Sequence, residues 1–371
     1  MAKRKTNDYG MGAKVVGRPV RAPSLPYEPR SPRHYNPGIG LIGCGGISVQ
    51  HLRAYKKAGF RVLAVCDRKV ERAFQRQKEF YPKAAVYADY KQVLARDDIE
   101  VVDIATHPGQ RQKIIESSIL AGKHVLSQKP FTTDLSFGRR MVKLAAKRKV
   151  KLAVNTNGRW APHFSYIRHV IRKGLIGDVL SVQCTVSWNH NWVAGTEFNR
   201  VRHIILYDFG IHWFDLLTCF FGRRSARRVF ASFARSRGQK ANPPLLGQAL
   251  IEYDHGQAVL AFNGDTKIGA EDRTYIVGSA GAVFSGGPDL ASQKVTLQWY
   301  RGVASPKLKG HWFPDGFRGT MGELLCAIEE DREPENNALS HMRGLELCFA
   351  AVASAESHRP FKPGSVRRMP S

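Results

Sequence analysis

The chain has 371 residues, 43% of them hydrophobic and 24% charged, which is enough apolar material for two cored domains and excludes a largely disordered protein. No apolar run reaches the roughly 18 residues that span a bilayer, and the basic residues 1–20 lack the apolar stretch of a secretory signal, so the sequence reads as cytoplasmic. The 57 Lys and Arg against 31 Asp and Glu give a formal charge of +26. Such a field attracts polyanions, but no nucleic-acid-binding motif accompanies it, and nucleic acid is not expected as a partner.

Residues 1–37 form a basic arm, with Lys3, Arg4, Lys5, Lys14, Arg18, Arg21, Arg30 and Arg33 against Asp8 and Glu28. Prolines 19, 23, 26, 29, 32 and 37 break helix and strand ladders, which predicts a segment that is either disordered or laid extended across another surface. From Gly38 the pattern changes. The apolar runs GIGLIG, RVLAVC, VVDIA, HVLS and KLAVN alternate with amphipathic helical runs over 49–58, 69–80, 110–121 and 134–149. Strands apolar on both faces in βαβα order predict a doubly wound parallel sheet covered by helices over residues 38–156.

Beyond residue 157 the alternation stops. A helix at 163–173, a strand at 179–188, a helix at 208–221, several alternating strands between 228 and 300, and helices at 317–330 and 339–357 predict an α+β second domain over 157–371 built on a mixed or mostly antiparallel sheet. The six cysteines, Cys44, Cys66, Cys184, Cys219, Cys326 and Cys348, show no CxxC pair and no metal-ligand spacing, and read as reduced thiols.

The first strand runs into Gly43-Cys44-Gly45-Gly46-Ile47-Ser48 and then directly into a helix. Gly43 permits a tight turn, Gly45 lets backbone approach a pyrophosphate, and the helix N-terminus offers N–H groups to phosphates. The second strand ends at Asp67, 22 residues after Gly45, where an acid accepts the hydroxyls of an adenosine ribose. Together these predict a dinucleotide site. Asp67 opposes a 2′-phosphate and favours NAD, while Arg68 beside it leaves NADP open.

Gln128-Lys129-Pro130 follows the HVLS run, so Lys129 is expected near the reactive end of the cofactor, with Pro130 imposing an extended geometry that also admits a cis link. A surface loop lysine is the alternative at this point. In the helix opening at Asp208, the residues Asp208, His212 and Asp215 are spaced by four and three and form one polar stripe. Phe209, Trp213, Leu216 and Phe220 make an apolar face, so this helix is expected to be buried with its stripe facing a cavity. The alternative is a structural histidine capped by a carboxylate.

A nicotinamide site with a Lys and a His/Asp pair suits oxidation of a secondary alcohol. His212 is then the base, Asp208 orients the imidazole or holds a neighbouring hydroxyl, and Lys129 hydrogen-bonds the reacting oxygen. No metal is needed.

These segments resemble the glucose-fructose oxidoreductase, inositol dehydrogenase and MocA family over roughly residues 38–360. The shared features are the glycine turn at 43–48, Asp67, the VDIAT strand ending at Thr106, AGKHVL before the Lys-Pro pair, Arg159-Trp160 before Pro162, and the Asp-x-Gly-x-His-x-x-Asp helix at 208–215. The resemblance implies an N-terminal Rossmann domain, then a C-terminal α/β domain whose large open sheet mediates dimers or tetramers. It implies NAD or NADP as cofactor, a sugar or polyol substrate, and Lys129, Asp208 and His212 as the catalytic set.

Carried over residue by residue, the cofactor contacts are Gly43, Gly45, Gly46, Ile47, Asp67, Arg68, Thr106, His107, Gln128, Lys129, Asn157, Arg159 and Trp160. Two aromatic segments resemble sugar-contacting loops, through His190, Asn191 and Trp192 in one and Trp312 and Asp315 in the other, although both also fit plain packing.

The chain departs from the family pattern at two places. Gln128 replaces the usual Glu before Lys-Pro, and Thr106-His107-Pro108-Gly109-Gln110 stands where TPPxxxH is usual. The family also includes glycosidases that retain NAD and oxidise the sugar transiently, and cofactor-sensing regulators. Retention of Lys129, Asp208 and His212 argues against a regulator. The arm could wrap a neighbouring subunit, as arms do in some members.

Overall fold

The computed structural model describes residues 17–370, so the first sixteen residues of the basic arm lie outside the described residues. The first half alternates strands and helices: β1 (Gly38–Ile42), α1 (Ser48–Ala58), β2 (Arg61–Cys66), α2 (Val70–Phe80), β3 (Ala85–Tyr87), α3 (Tyr90–Leu94), β4 (Val101–Ile104), α4 (Pro108–Leu120), β5 (His124–Gln128), α5 (Leu135–Lys147) and β6 (Leu152–Asn155). All pairings are parallel, in the order β3-β2-β1-β4-β5-β6. The chain order reverses between β1 and β4, which opens a ligand crevice beyond the carboxyl ends of the strands. Strands β1, β4 and β6 are buried at every residue, as sheets covered on both faces require.

The second half comprises α6 (Pro162–Arg172), β7 (Val179–Ser187), α7 (Ile211–Phe220), β8 (Ala226–Ala234), β9 (Leu246–Tyr253), β10 (Gly256–Asn263), β11 (Glu271–Gly278), β12 (Gly281–Gly287), β13 (Lys294–Trp299), β14 (Gly302–Ala304), α8 (Trp312–Glu329) and α9 (Ala338–Ser357). Its eight strands run β14-β13-β12-β11-β7-β10-β9-β8, and β7 pairs with β10 in parallel while the remaining pairs are antiparallel. Alternation along these strands is clean: Val182, Cys184 and Val186 of β7 face inward onto a core shared with α6, α7 and α9.

The structure adds three details to the sequence reading. Helix α8 packs across the 156/157 division, its Phe317, Met321, Leu324 and Leu325 lying with Ile39, Leu41, Leu52 and Tyr55 in the core of the first domain. The tail returns there too, with Leu135 N–H donating to Arg367 and Met369 N–H to Thr133. The helix expected at 208–221 begins instead as a π-turn over Ile205–Phe209, closed by Gly210 N–H on Ile205 C=O at 2.9 Å, before α7 proper. A Cβ at Gly210 would lie 2.8 Å from Leu206 C=O, so the widened turn requires glycine.

The third concerns residues 17–37, which lie extended across the surface of their own chain. Val20 N–H donates to Val303 at 2.9 Å, Ser165 Oγ donates to Tyr27 C=O at 2.7 Å, and the Glu329 carboxylate accepts the N–H groups of Arg33, His34 and Tyr35. None of the six cysteines is in a disulfide, and only Cys219 is less than fully buried.

Candidate active site

The turn after β1 is built for a close approach. Gly43 has φ +102°, and a Cβ there would lie 2.9 Å from Ala105, whereas Cβ atoms on Gly45 and Gly46 would point into open space. The N-terminus of α1 carries no side-chain cap, so the positive end of its dipole faces the glycine cradle uncompensated, with Ile47 exposed beside it. Ser48, in place of the third glycine, folds its hydroxyl back onto Gly45 C=O at 2.5 Å and so occupies no cofactor space. Asp67 braces the turn by accepting from Cys44 N–H at 2.8 Å and Lys69 N–H at 2.9 Å. Arg68 is exposed, without an ion partner among the described residues. At the end of β4, Thr106 presents a buried hydroxyl with no partner. These residues fit a dinucleotide: an open cradle, an uncapped helix end, an acid at the ribose position and an orphaned hydroxyl on the nicotinamide side.

Lys129 leaves the end of β5 through a cis bond to Pro130, and its Nζ donates to Asp208 C=O at 2.8 Å and Asp208 Oδ1 at 3.3 Å. The π-turn presents Asp208 to Lys129, and His212 follows one turn later. His212 makes no hydrogen bond to any described residue; it is flanked by Trp312, edge-on at 5.4 Å, and by Gly158. Burial, reinforced by the Lys129 charge, holds the His212 pKa well below the usual imidazole value, so the ring is neutral and able to accept a proton.

His190 is also kept neutral by burial, with its pKa lowered to about 4. Its Nδ1 accepts from Trp188 Nε1 at 2.9 Å, which leaves the proton on Nε2 as a donor. Trp192, 56% exposed, stands edge-on to both His190 and Phe198. The same loop reaches back to His107, whose ring lies 5.5 Å from that of Phe198, so the cleft is bridged at its mouth.

The remaining expected contacts are taken up within the protein. Asp215 does not share the cleft with Asp208 and His212: it forms a two-pronged pair with Arg159 at 2.6 and 2.7 Å and accepts from His341 at 3.1 Å, all fully buried. Arg159 is therefore not free for the cofactor. Trp160 lies under the Arg168 guanidinium, Asn157 Oδ1 holds Trp312 Nε1 at 2.6 Å, and Gln128 turns inward. Trp312 forms the wall behind His212, and Asp315 accepts from His311 N–H at 2.9 Å and faces Lys57. Asn191 is committed to Asp265 at 2.5 Å and to Lys240 N–H at 2.7 Å. Sequence reasoning missed Arg111, which is buried and donates to the carbonyls of Thr106, Gln128 and Pro130, locking the ends of β4 and β5 together. A basic residue amid the apolar positions of α4 was the only available signal.

A doubly wound sheet with an open glycine cradle, joined across a cleft to a second domain whose π-turn and helix α7 supply an aspartate and a histidine, defines a nicotinamide-dependent oxidoreductase fold. Residues 38–156 match the model of the oxidoreductase family with an NAD-binding Rossmann fold, residues 164–284 match the GFO/IDH/MocA C-terminal domain, and the chain belongs to that family. Curated relatives include a D-apiose dehydrogenase from Paraburkholderia graminis, 25% identical over 86% of this chain and 88% of that protein. An inositol 2-dehydrogenase from Rhizobium meliloti is 26% identical over 86% of this chain and 97% of its own length. Among solved structures, an oxidoreductase from Agrobacterium radiobacter in complex with NAD+, L-tartaric acid and magnesium shares the fold at a TM-score of 0.80 and 21% identity, covering 89% of this chain and 99% of that one.

Proposed function

We propose that the protein oxidises a secondary hydroxyl of a sugar, glycoside or polyol, or reduces the corresponding ketone, by hydride transfer with a nicotinamide cofactor. The observation that carries this reading is the cleft pair: Lys129 held on Asp208 beside a neutral His212 with no protein partner. Bound NAD supplies the hydride acceptor. Gly45, Gly46 and the α1 N-terminus would hold its pyrophosphate, and Asp67 would take the ribose hydroxyls and oppose NADP, which Arg68 would still admit. His212 takes the hydroxyl proton as the hydride leaves and returns it in the reverse direction, while Lys129 stabilises the oxygen on which charge develops. His190 offers a fixed N–H to a second hydroxyl oxygen, and Trp192 presents a broad face suited to the C–H face of a sugar ring. The apiose and inositol dehydrogenases among the relatives support a polyhydroxylated substrate.

The test is a turnover screen with NAD and NADP against sugars, glycosides, polyols and inositols at low salt, following reduced nicotinamide. Reduction is expected with wild type and lost in Lys129→Ala. Cofactor binding without reduction of any kind would instead favour a retained-cofactor glycosidase or a sensor.

The homo-oligomer reading is supported by the outer face of the eight-stranded sheet. Phe230, Leu250, Val259 and Tyr275, each 37–46% exposed, fall in one cross-strand row through the register Phe230–Leu250–Val259–Gln183–Tyr275. A row of four apolar residues on a solvated face, broken by Gln183, fits burial by a second copy of the chain.

A further inference from the structure

A buried polar cluster of the first domain lies beneath Lys129 and takes no part in the chemistry described above. His51 of α1 and Asp103 of β4 are fully buried, and Gln128 and Asn155, at the ends of β5 and β6, are buried with them. Asp103 Oδ2 is 2.6 Å from His51 Nδ1 and accepts from the Tyr55 hydroxyl at 2.6 Å. Across the ring, His51 Nε2 lies 3.0 Å from the Gln128 amide nitrogen and 3.1 Å from that of Asn155.

The Gln128 amide has only one possible orientation. Its Oε1 accepts the backbone N–H of Lys129 at 2.7 Å, which the nitrogen could not do, so its NH₂ faces His51. Nε2 is therefore an acceptor, the ring proton is on Nδ1, and the imidazole is neutral. Hydrogen bonds then run in one direction, from Lys129 N–H to Gln128, from Gln128 to His51, and from His51 to the Asp103 carboxylate. Chains of this kind polarise one another in a buried setting. Arg111 grips the same stretch from the other side, donating to the carbonyls of Gln128 and Pro130. The backbone around Lys129 is thus held at its N–H and at both flanking carbonyls.

We propose that Gln128 is a positioning residue for Lys129, itself set by His51 and Asp103, and that a neutral amide is what allows lysine backbone and imidazole to be held together. This rests on the reading of Lys129 as the group that stabilises the reacting oxygen. A leucine at 128 leaves the Lys129 N–H without its acceptor and loosens the frame that carries Nζ to Asp208. A glutamate keeps that acceptor but turns a second acceptor toward Nε2, so it holds the frame only while His51 carries both ring protons. The titratable and charged groups around His51 are Asp103 of β4 and Tyr55 of α1 in contact, with Arg111 of α4 acting on Asp103; Asn155 and the Phe317 ring of α8, 4.8 Å away, complete its surroundings.

The experiment compares wild type, Gln128→Leu, Gln128→Glu and, as a purely structural control, Asp134→Ala at the N-cap of α5. Three quantities are read: the ¹⁵N signals of the His51 ring in ligand-free protein from about pH 6 to about pH 9, NADH affinity by fluorescence, and kcat and KM on the best substrate. In wild type the ring proton is found on Nδ1 and Nε2 carries none. In Gln128→Glu both are protonated at the acid end, and the second proton is lost toward the alkaline end. Gln128→Leu lowers kcat about 100-fold while KM and NADH affinity stay within about threefold. Gln128→Glu recovers most of kcat in acid and loses it in alkali, a limb absent from wild type, and Asp134→Ala lowers Tm without changing kcat or the pH profile.

A Gln128→Leu variant with wild-type kcat, a Gln128→Glu profile parallel to wild type, or a protonated Nε2 in wild type would overturn the proposal. Should no sugar or polyol be turned over, the reading of Lys129 fails separately, and the ring spectra still decide the hydrogen-bond chain.

Discussion

Lys129–Asp208 and Arg159–Asp215 are the same chemical pair, a cation on a carboxylate with a histidine close by, and the two aspartates stand seven residues apart in one segment. Their surroundings differ. The Lys129 and Asp208 side chains keep 16% and 28% of their exposure, whereas Arg159 and Asp215 keep 2% each. Burial alone would raise the Asp215 pKa, but the Arg159 charge and the hydrogen bonds from His341 and Arg159 drive it well below the usual carboxylate range. Both Asp215 oxygens are taken, and Arg159 also donates to Glu335 C=O and Ser340 Oγ. At the other pair, Lys129 meets one carboxylate oxygen at a loose 3.3 Å and His212 meets none. The buried pair ties α7 and α9 to the segment after β6, and the half-open one keeps unused hydrogen-bonding capacity for a ligand.

The contrast is sharpest in what substitution removes. His212→Asn is expected to lower kcat by about 10²- to 10⁴-fold with Tm nearly unchanged, since it removes proton transfer and no internal hydrogen bond. In wild type the acid limb of kcat/KM should lie below the ordinary histidine range near pH 6.5, because His212 must be unprotonated to act and its pKa is depressed; a limb at or above that value would contradict its assignment. Asp215→Ala should instead lose about 3–5 kcal/mol of stability, by leaving Arg159 buried and unpaired, while the folded fraction measured by denaturant titration keeps kcat within about tenfold.

Asp272 sharpens the comparison from another side, as a buried acid with no cation. Burial, reinforced by Asp289 and Glu271, raises its pKa to about 7, and Oδ2 has no partner. A raised carboxyl contributes stability that is fully present below the unfolded value and lost as pH rises through about 7. Asp272→Asn should therefore raise Tm more at alkaline than at mildly acid pH, and an equal gain at both would show that the group does not titrate there. The smallest expected effect is at Asp67: Asp67→Asn should move cofactor preference by about tenfold toward NADP, read from the two dissociation constants.

The parts of the site made by one strand, turn and helix were legible in the sequence, because Gly43, Gly45 and Asp67 act through local backbone geometry. Lys129, Asp208 and His212 were legible as a set because burial of α7 forces its polar residues toward some partner. Spacing could not tell which partner. Asp215 reads as part of the same stripe, and only the π-turn, with α9 packed behind it, separates Asp215 from the cleft. Arg159, Trp160, Asn157 and Gln128 were placed at the cofactor by the family resemblance, which says where a residue is, not whether its side chain turns inward. His51 and Asp103 gave no signal, since a histidine in an amphipathic helix and an aspartate in an apolar strand meet only when α1 and β4 pack. The docking of α8 onto the first domain was hidden likewise, because domain boundaries drawn from pattern follow chain order.

The most direct measurement is turnover and thermal unfolding of Lys129→Met and Arg159→Met side by side on the best sugar or polyol. The account predicts that Lys129→Met loses turnover by about 10³-fold at near-normal Tm, as expected for a group that stabilises developing charge. Arg159→Met should lose Tm by many degrees while its folded protein still turns over substrate. The reverse pattern, or loss of both properties in both variants, would contradict the division between a reacting pair and a structural one.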